Sequence, residues 1–199
     1  MPSPILFINF GAVRIFAFIS VILLSSCSAN HTEELILLRL KTLQGEEYAF
    51  QKIKENKATV VYFLAPECPL SQNYTLPIRE IKEEYADKNM EFIGVVAGKY
   101  YTKQEIQDYV TEYNLTLPLL LDPDNTLTNL LGAKITPEVF VLSAQGNVLY
   151  SGKIDNWYIS LGRNRKKTTE FYLKDALNAI NSGQEITVTK TEAVGCYIE

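Results

Sequence analysis

Histidine, methionine and cysteine are scarce in this chain: one, two and three of them among 199 residues. Imidazole and sulfur are the ligands that copper and zinc sites are built from. His31, Met1 and Met90 stand far from one another in sequence, so no metal site and no cofactor are expected. Strong positive charge is also missing. The formal net charge is −4, which gives no support for nucleic-acid binding. Arg163, Arg165, Lys166 and Lys167 read as a solvated connector. Internal repeats and low-complexity tracts are absent. The length suits one domain plus appendages.

The apolar run Ile15–Leu24 falls short of the ~20 residues that a membrane span requires. Arg14 is the only formal side-chain charge before it, and Leu24-Ser25-Ser26-Cys27 closes it. This pattern resembles a bacterial lipoprotein signal peptide, which implies cleavage before Cys27 and lipidation of that residue. An uncleaved signal anchor is the competing reading. Either one places the remainder in the cell envelope, facing the periplasm or the exterior and held to the membrane at its N-terminus. The expected organisation is therefore a signal peptide over 1–26, a lipidated tether over 27–34, a domain over 35–182 and a tail over 183–199.

With Cys27 assigned to lipid, Cys68 and Cys196 remain, in a compartment where disulfides persist. Either they form one redox pair, or they are unrelated thiols. Cys68 carries the stronger signal. The β-branched stretch Thr59–Leu64 reads as a buried strand, and it leads into Ala65-Pro66-Glu67-Cys68-Pro69 and a helix-period segment reaching about Asp87. A thiol at a helix N-terminus meets unpaired N–H groups and the positive end of the macrodipole. Both favour the thiolate, and Pro69 fits the first helical position. Ser71, one turn on, offers a hydroxyl to that thiolate. Glu67 opposes ionisation.

Further along, Met90–Val96 reads as a strand and Thr102 opens a helix with Glu105 completing a capping box. Pro118–Leu121 is a strand and Asn125–Leu131 a short helix. Glu138–Leu142 and Val148–Ser151 form a hairpin, and Thr168–Ile180 an amphipathic helix stopped by Gly183. Strands alternating with helices, then a hairpin and a closing helix, imply an α/β fold with a mixed central sheet covered on both faces.

The segment Phe63–Ser71 resembles the strand–CxxC–helix unit of thioredoxin-like proteins, with Ser71 at the second cysteine. Ile135–Leu142 is similar to the stretch where that fold holds a cis-proline opposite the active cysteine. Over Leu35–Ser182 the chain is similar to the redoxin group, the alkyl hydroperoxide reductase and thiol-specific antioxidant superfamily. More narrowly, it resembles bacterial redoxin-domain proteins that share a Cys-Pro-x-Ser/Ala site, the block Tyr150–Asn156, Gly162-Arg163 and a C-terminal Val-Gly-Cys segment. The resemblance implies a thioredoxin-like fold, Cys68 as the reactive thiol, and Thr136 and Pro137 as the place where a substrate backbone is held. It also implies that Cys196 belongs to the module.

Three readings follow. The leading one is a thiol–disulfide oxidoreductase acting on protein or small-molecule thiols and disulfides, with Cys196 resolving a mixed disulfide at Cys68. The stretch beyond Gly183 spans roughly 45–50 Å when extended, so that pairing is permitted. The second is a non-catalytic binding module that keeps the fold. The third is an atypical thiol peroxidase, although Val61 and Ala65 occupy the positions where peroxidase relatives carry Pro and Thr/Ser. Trp157, Tyr158, Tyr100 and Tyr101 read as packing residues.

Overall fold

The computed structural model describes residues 31–199 of the chain. Cys27, the expected leader and the start of the tether lie outside them. Strand β3 (Ala58–Phe63) is the organising element, and all six of its residues are buried. A strand buried on both faces needs apolar side chains throughout rather than in alternation. It pairs in parallel with β4 (Met90–Ala97), which pairs in parallel with β5 (Leu119–Asp122). On its other side it pairs antiparallel with β7 (Glu138–Leu142), which continues antiparallel to β8 (Val148–Gly152). The hairpin β1 (Arg39–Thr42) and β2 (Glu47–Ala49) extends the sheet beyond β5, giving the order β2-β1-β5-β4-β3-β7-β8.

Because side chains alternate across a strand, β3 feeds two cores. Val60 and Tyr62 pack with Ile78 and Ile81 of α1 (Pro69–Glu84), Ile106 and Tyr109 of α2 (Lys103–Glu112), and Leu173 and Leu177 of α4 (Tyr172–Ser182). Val61 and Phe63 face Phe50 and Ile53 of a 3-10 helix (Phe50–Glu55), Leu127 of α3 (Thr126–Leu131), and Leu35. This is the mixed, doubly covered α/β sheet expected from the sequence. Residues 31–37 are helical, so the end of the expected tether is ordered against the second core through Leu35.

Helix α2 opens with the Thr102–Glu105 capping box foreseen from its spacing. Helix α4 begins at Tyr172, four positions later than Thr168. The reason is Asn156, whose side chain accepts from the Thr169 and Glu170 N–H groups and donates to the Thr169 hydroxyl. Those residues are held extended, as side chain–backbone bonds of this kind compete with helix.

The tail after Gly183 is extended and pinned. The Ser151 N–H donates to the Thr189 carbonyl at 3.0 Å, and the Thr191 N–H donates to the Ser151 carbonyl at 2.9 Å. The Thr191 hydroxyl accepts from the Lys153 N–H at 2.8 Å and pairs with the Tyr150 hydroxyl at 2.8 Å. Gly152, at φ +128°, makes this possible, since a Cβ there would lie 2.1 Å from the Thr191 carbonyl oxygen. Strands β9 (Tyr158–Ser160) and β10 (Arg163–Asn164) pair antiparallel with each other, and at the end of the tail β11 (Cys196–Tyr197) pairs antiparallel with β6 (Ile135–Thr136). Among the described residues, no helix is long and apolar enough to cross a membrane.

Candidate functional site

Cys68 is the N-cap of α1 and Pro69 its first residue. The strand β3 delivers the chain to this point and the loop 64–67 turns it into the helix. The Leu64 N–H still bonds to the Val95 carbonyl, so the sheet fixes the loop's start. The Ser71 hydroxyl accepts from the Ala65 N–H at 3.2 Å and closes the loop from the other end. What Ser71 gives Cys68 is its backbone N–H. Tyr109 on α2 donates to the Ser71 carbonyl, which locks the first turn to the neighbouring helix.

Thr136 and Pro137 stand across from this turn, joined by a cis peptide bond. The Cys68 thiol donates to the Thr136 carbonyl at 3.0 Å. Cys196 arrives on β11 opposite Thr136, and its thiol donates to Cys68 Sγ at 2.6 Å. The Thr136 hydroxyl donates to the Cys196 carbonyl at 3.5 Å. The five residues expected at the site, Cys68, Ser71, Thr136, Pro137 and Cys196, are therefore brought together in space. Cys68 and Cys196 are both free thiols, and Cys68 is only 2% exposed.

The two thiols differ in acidity. Burial by itself would raise the Cys68 thiol. Hydrogen bonds from the Cys196 thiol, the Ser71 N–H, the Thr136 hydroxyl and the Cys196 N–H outweigh it and hold Cys68 below the ordinary thiol value. Cys196 is pushed up to about 12, first by burial and then by donating to, and lying beside, the charge on Cys68. The pair thus joins a thiol that ionises more readily than usual to one that stays protonated beside it.

A cavity of about 240 Å³ opens beside Cys68, walled by Leu64, Ala97, Tyr100, Tyr101 and Ile198. Burial raises the Tyr101 hydroxyl, with Glu67, Tyr100 and both cysteines adding to the effect, so that ring stays neutral at the mouth. Tyr100 and Tyr101, read from sequence as packing residues, line the approach to the thiol. Trp157 and Tyr158 do pack, against Tyr74 of α1. The Tyr74 hydroxyl and the Trp157 N–H both bond to the Asp155 carboxylate.

Of two residues that seat the tail, Thr191 went unnoticed in the sequence, and Gly195 was noted only as a member of the Val-Gly-Cys segment. A Cβ on Gly195 would lie 2.0 Å from the Thr136 carbonyl oxygen. A glycine directly before a candidate resolving cysteine was the one signal that pointed to close backbone approach. Thr191, a polar residue in an alternating tail, carried none.

An 89-residue stretch is 30% identical to NHL repeat-containing protein 2 of Gallus gallus, covering 42% of this chain and 12% of that protein. The chain thus spans about an eighth of that relative's length. Among solved structures, a hypothetical protein of Sinorhizobium meliloti superposes with a TM-score of 0.71 at 20% identity, over 81% of this chain and 89% of that one. A secreted Mycobacterium tuberculosis disulfide oxidoreductase, described as homologous to E. coli DsbE, gives 0.53 at 17% identity over 75% and 98%. These likenesses establish the thioredoxin-like fold. The sequence model of the AhpC/TSA family matches residues 32–151, more than half of the chain, and the protein belongs to that family.

Proposed function

We propose that the protein is a thiol–disulfide oxidoreductase of the cell envelope, anchored through lipidated Cys27, in which Cys68 attacks and Cys196 resolves. The observation that carries this reading is the approach of the two sulfurs to 2.6 Å at the N-terminus of α1. Sulfurs already in contact can be joined without moving either segment of backbone. In the cycle, the Cys68 thiolate attacks a partner disulfide, forms a mixed disulfide and releases one partner thiolate. Cys196, losing its proton to solvent, then attacks the Cys68 sulfur and expels the second partner thiolate. The partner is reduced by two electrons and the protein is left with a Cys68–Cys196 disulfide, which an external dithiol returns to two thiols. Run backwards, the same steps oxidise a partner. The secreted oxidoreductase among the structural neighbours is in keeping with an exported location.

The experiment is disulfide exchange with a reduced dithiol and an aryl or protein disulfide. Cys68→Ser is expected to abolish turnover, and Cys196→Ser to stop the cycle at a mixed disulfide visible by mass spectrometry. Unchanged exchange by Cys68→Ser would end this reading.

The second reading is a non-catalytic binding module, favoured by the near-complete burial of Cys68. It requires both thiols to stay free under mild oxidant, with the tail docked in either redox condition.

A further inference from the structure

Residues 196–197 lie along the β6 edge as a short strand, flanked by Gly195 and Ile198, and the Cys196 sulfur meets Cys68. Cys196 stands opposite Thr136, and Tyr197 opposite Ile135. The Ile198 N–H donates to the Lys134 carbonyl at 2.9 Å. Most of these contacts are made by main chain, which any polypeptide carries. We infer that this edge is a binding groove for an extended polypeptide of the pattern Gly-Cys-x-aliphatic, and that the tail is its resident occupant. The inference rests on the oxidoreductase reading and names its substrate class.

The pattern comes from what each position meets. Before the cysteine, a Cβ would sit 2.0 Å from the Thr136 carbonyl oxygen and 2.7 Å from its carbon, and backbone atoms cannot swing aside. Only glycine fits there. After the cysteine, Tyr197 is 82% exposed, so any side chain is accepted. At the next position Ile198 packs on the second core and walls the cavity beside Cys68. An aliphatic residue therefore fills a place already shaped for one. Adding a strand to a free edge supplies affinity through the backbone and specificity through alternate side chains.

The tail and a partner compete for one edge, so a partner binds only after β11 leaves. With a partner disulfide in the groove, the Cys68 thiolate attacks the peptide's cysteine sulfur, bonds to it and releases the other sulfur as a thiolate. The protein's sulfur is oxidised and the leaving sulfur reduced.

The test uses full-length Cys196→Ser and the double variant Cys196→Ser/Gly195→Val, in which the added side chain meets Thr136 and expels the tail. Two peptides, Ala-Val-Gly-Cys-Tyr-Ile and its Gly→Val counterpart, are offered as mixed disulfides with thionitrobenzoate, and release of the coloured aryl thiolate is followed. The small reagent dithiobis(nitrobenzoate) is the control. The glycine peptide is expected to react at least about tenfold faster than the valine peptide on the double variant, and more slowly on Cys196→Ser with its tail in place. Equal rates for the two peptides, with the small reagent reacting normally, would overturn the groove and leave the oxidoreductase reading intact. A fluorescent Ala-Val-Gly-Ser-Tyr-Ile peptide, which has no thiol, reads the groove without chemistry. Its saturable binding to the double variant, weakened by Gly→Val, would uphold the groove even if Cys68 proved inert. Absence of such binding together with an inert Cys68 would end both.

Discussion

In the proposed cycle, a proton shared unequally between two sulfurs decides which of them attacks. Cys68 is held below the ordinary thiol value by donors that include the Cys196 thiol, while Cys196 is pushed up to about 12. The rate of reaction of Cys68 with a small neutral disulfide is expected to rise with pH and level off once the thiol is ionised. The lowered pKa of Cys68 places that plateau at lower pH than for an ordinary cysteine. Cys196→Ala removes a donor that favours the thiolate, so the midpoint should move up; a pH–rate profile of the two proteins checks this, and an unmoved midpoint would mean the donor contributes nothing. Cys68 was legible because its signal is local: an apolar strand, then Cys-Pro, then helical periodicity. The Ser71 contribution was legible only in position. Its N–H serves the thiolate while its hydroxyl ties down Ala65, a division that depends on how the loop folds back.

At the scale of elements, the strands and helices of the central sheet were readable from periodicity and caps, and their boundaries shifted where tertiary partners intervened, as Asn156 does before α4. What periodicity could not give was the pairing of β11 with β6, since two-residue strands leave no pattern. The buried Asp122 carboxylate is a related case. It accepts from the Thr126 N–H, the Thr128 N–H and the Thr128 hydroxyl, organising the start of α3. Asp122→Ala orphans those donors and is expected to cost about 3 kcal/mol, measured by urea unfolding. The hydrogen bonds of Thr191 hold the tail along β8, an edge strand that would otherwise present unpaired backbone. Thr191→Val removes two of them, worth about 1–2 kcal/mol of docking. It should slow closure of the Cys68–Cys196 disulfide by roughly tenfold, read by quenched alkylation after mild oxidation.

For the whole molecule, the pairing of Cys68 with Cys196 joins points 128 residues apart. A disulfide across a loop of that size restricts the unfolded chain by about 5 kcal/mol in the loop-entropy account. Oxidised protein should therefore unfold at distinctly higher urea than reduced protein, and Cys196→Ala should show no such redox dependence. The end of the tail is held by its pairing with β6, and its last anchor before that is Thr191 on β8. From it, five residues reach Cys196, a leash of about 17 Å. A thiol on so short a leash is present at the active cysteine at an effective concentration in the millimolar range, whatever the protein's own abundance. In the proposed cycle a mixed disulfide at Cys68 would thus be resolved on a clock set by the leash, and a dissolved thiol would have to be millimolar to overtake it.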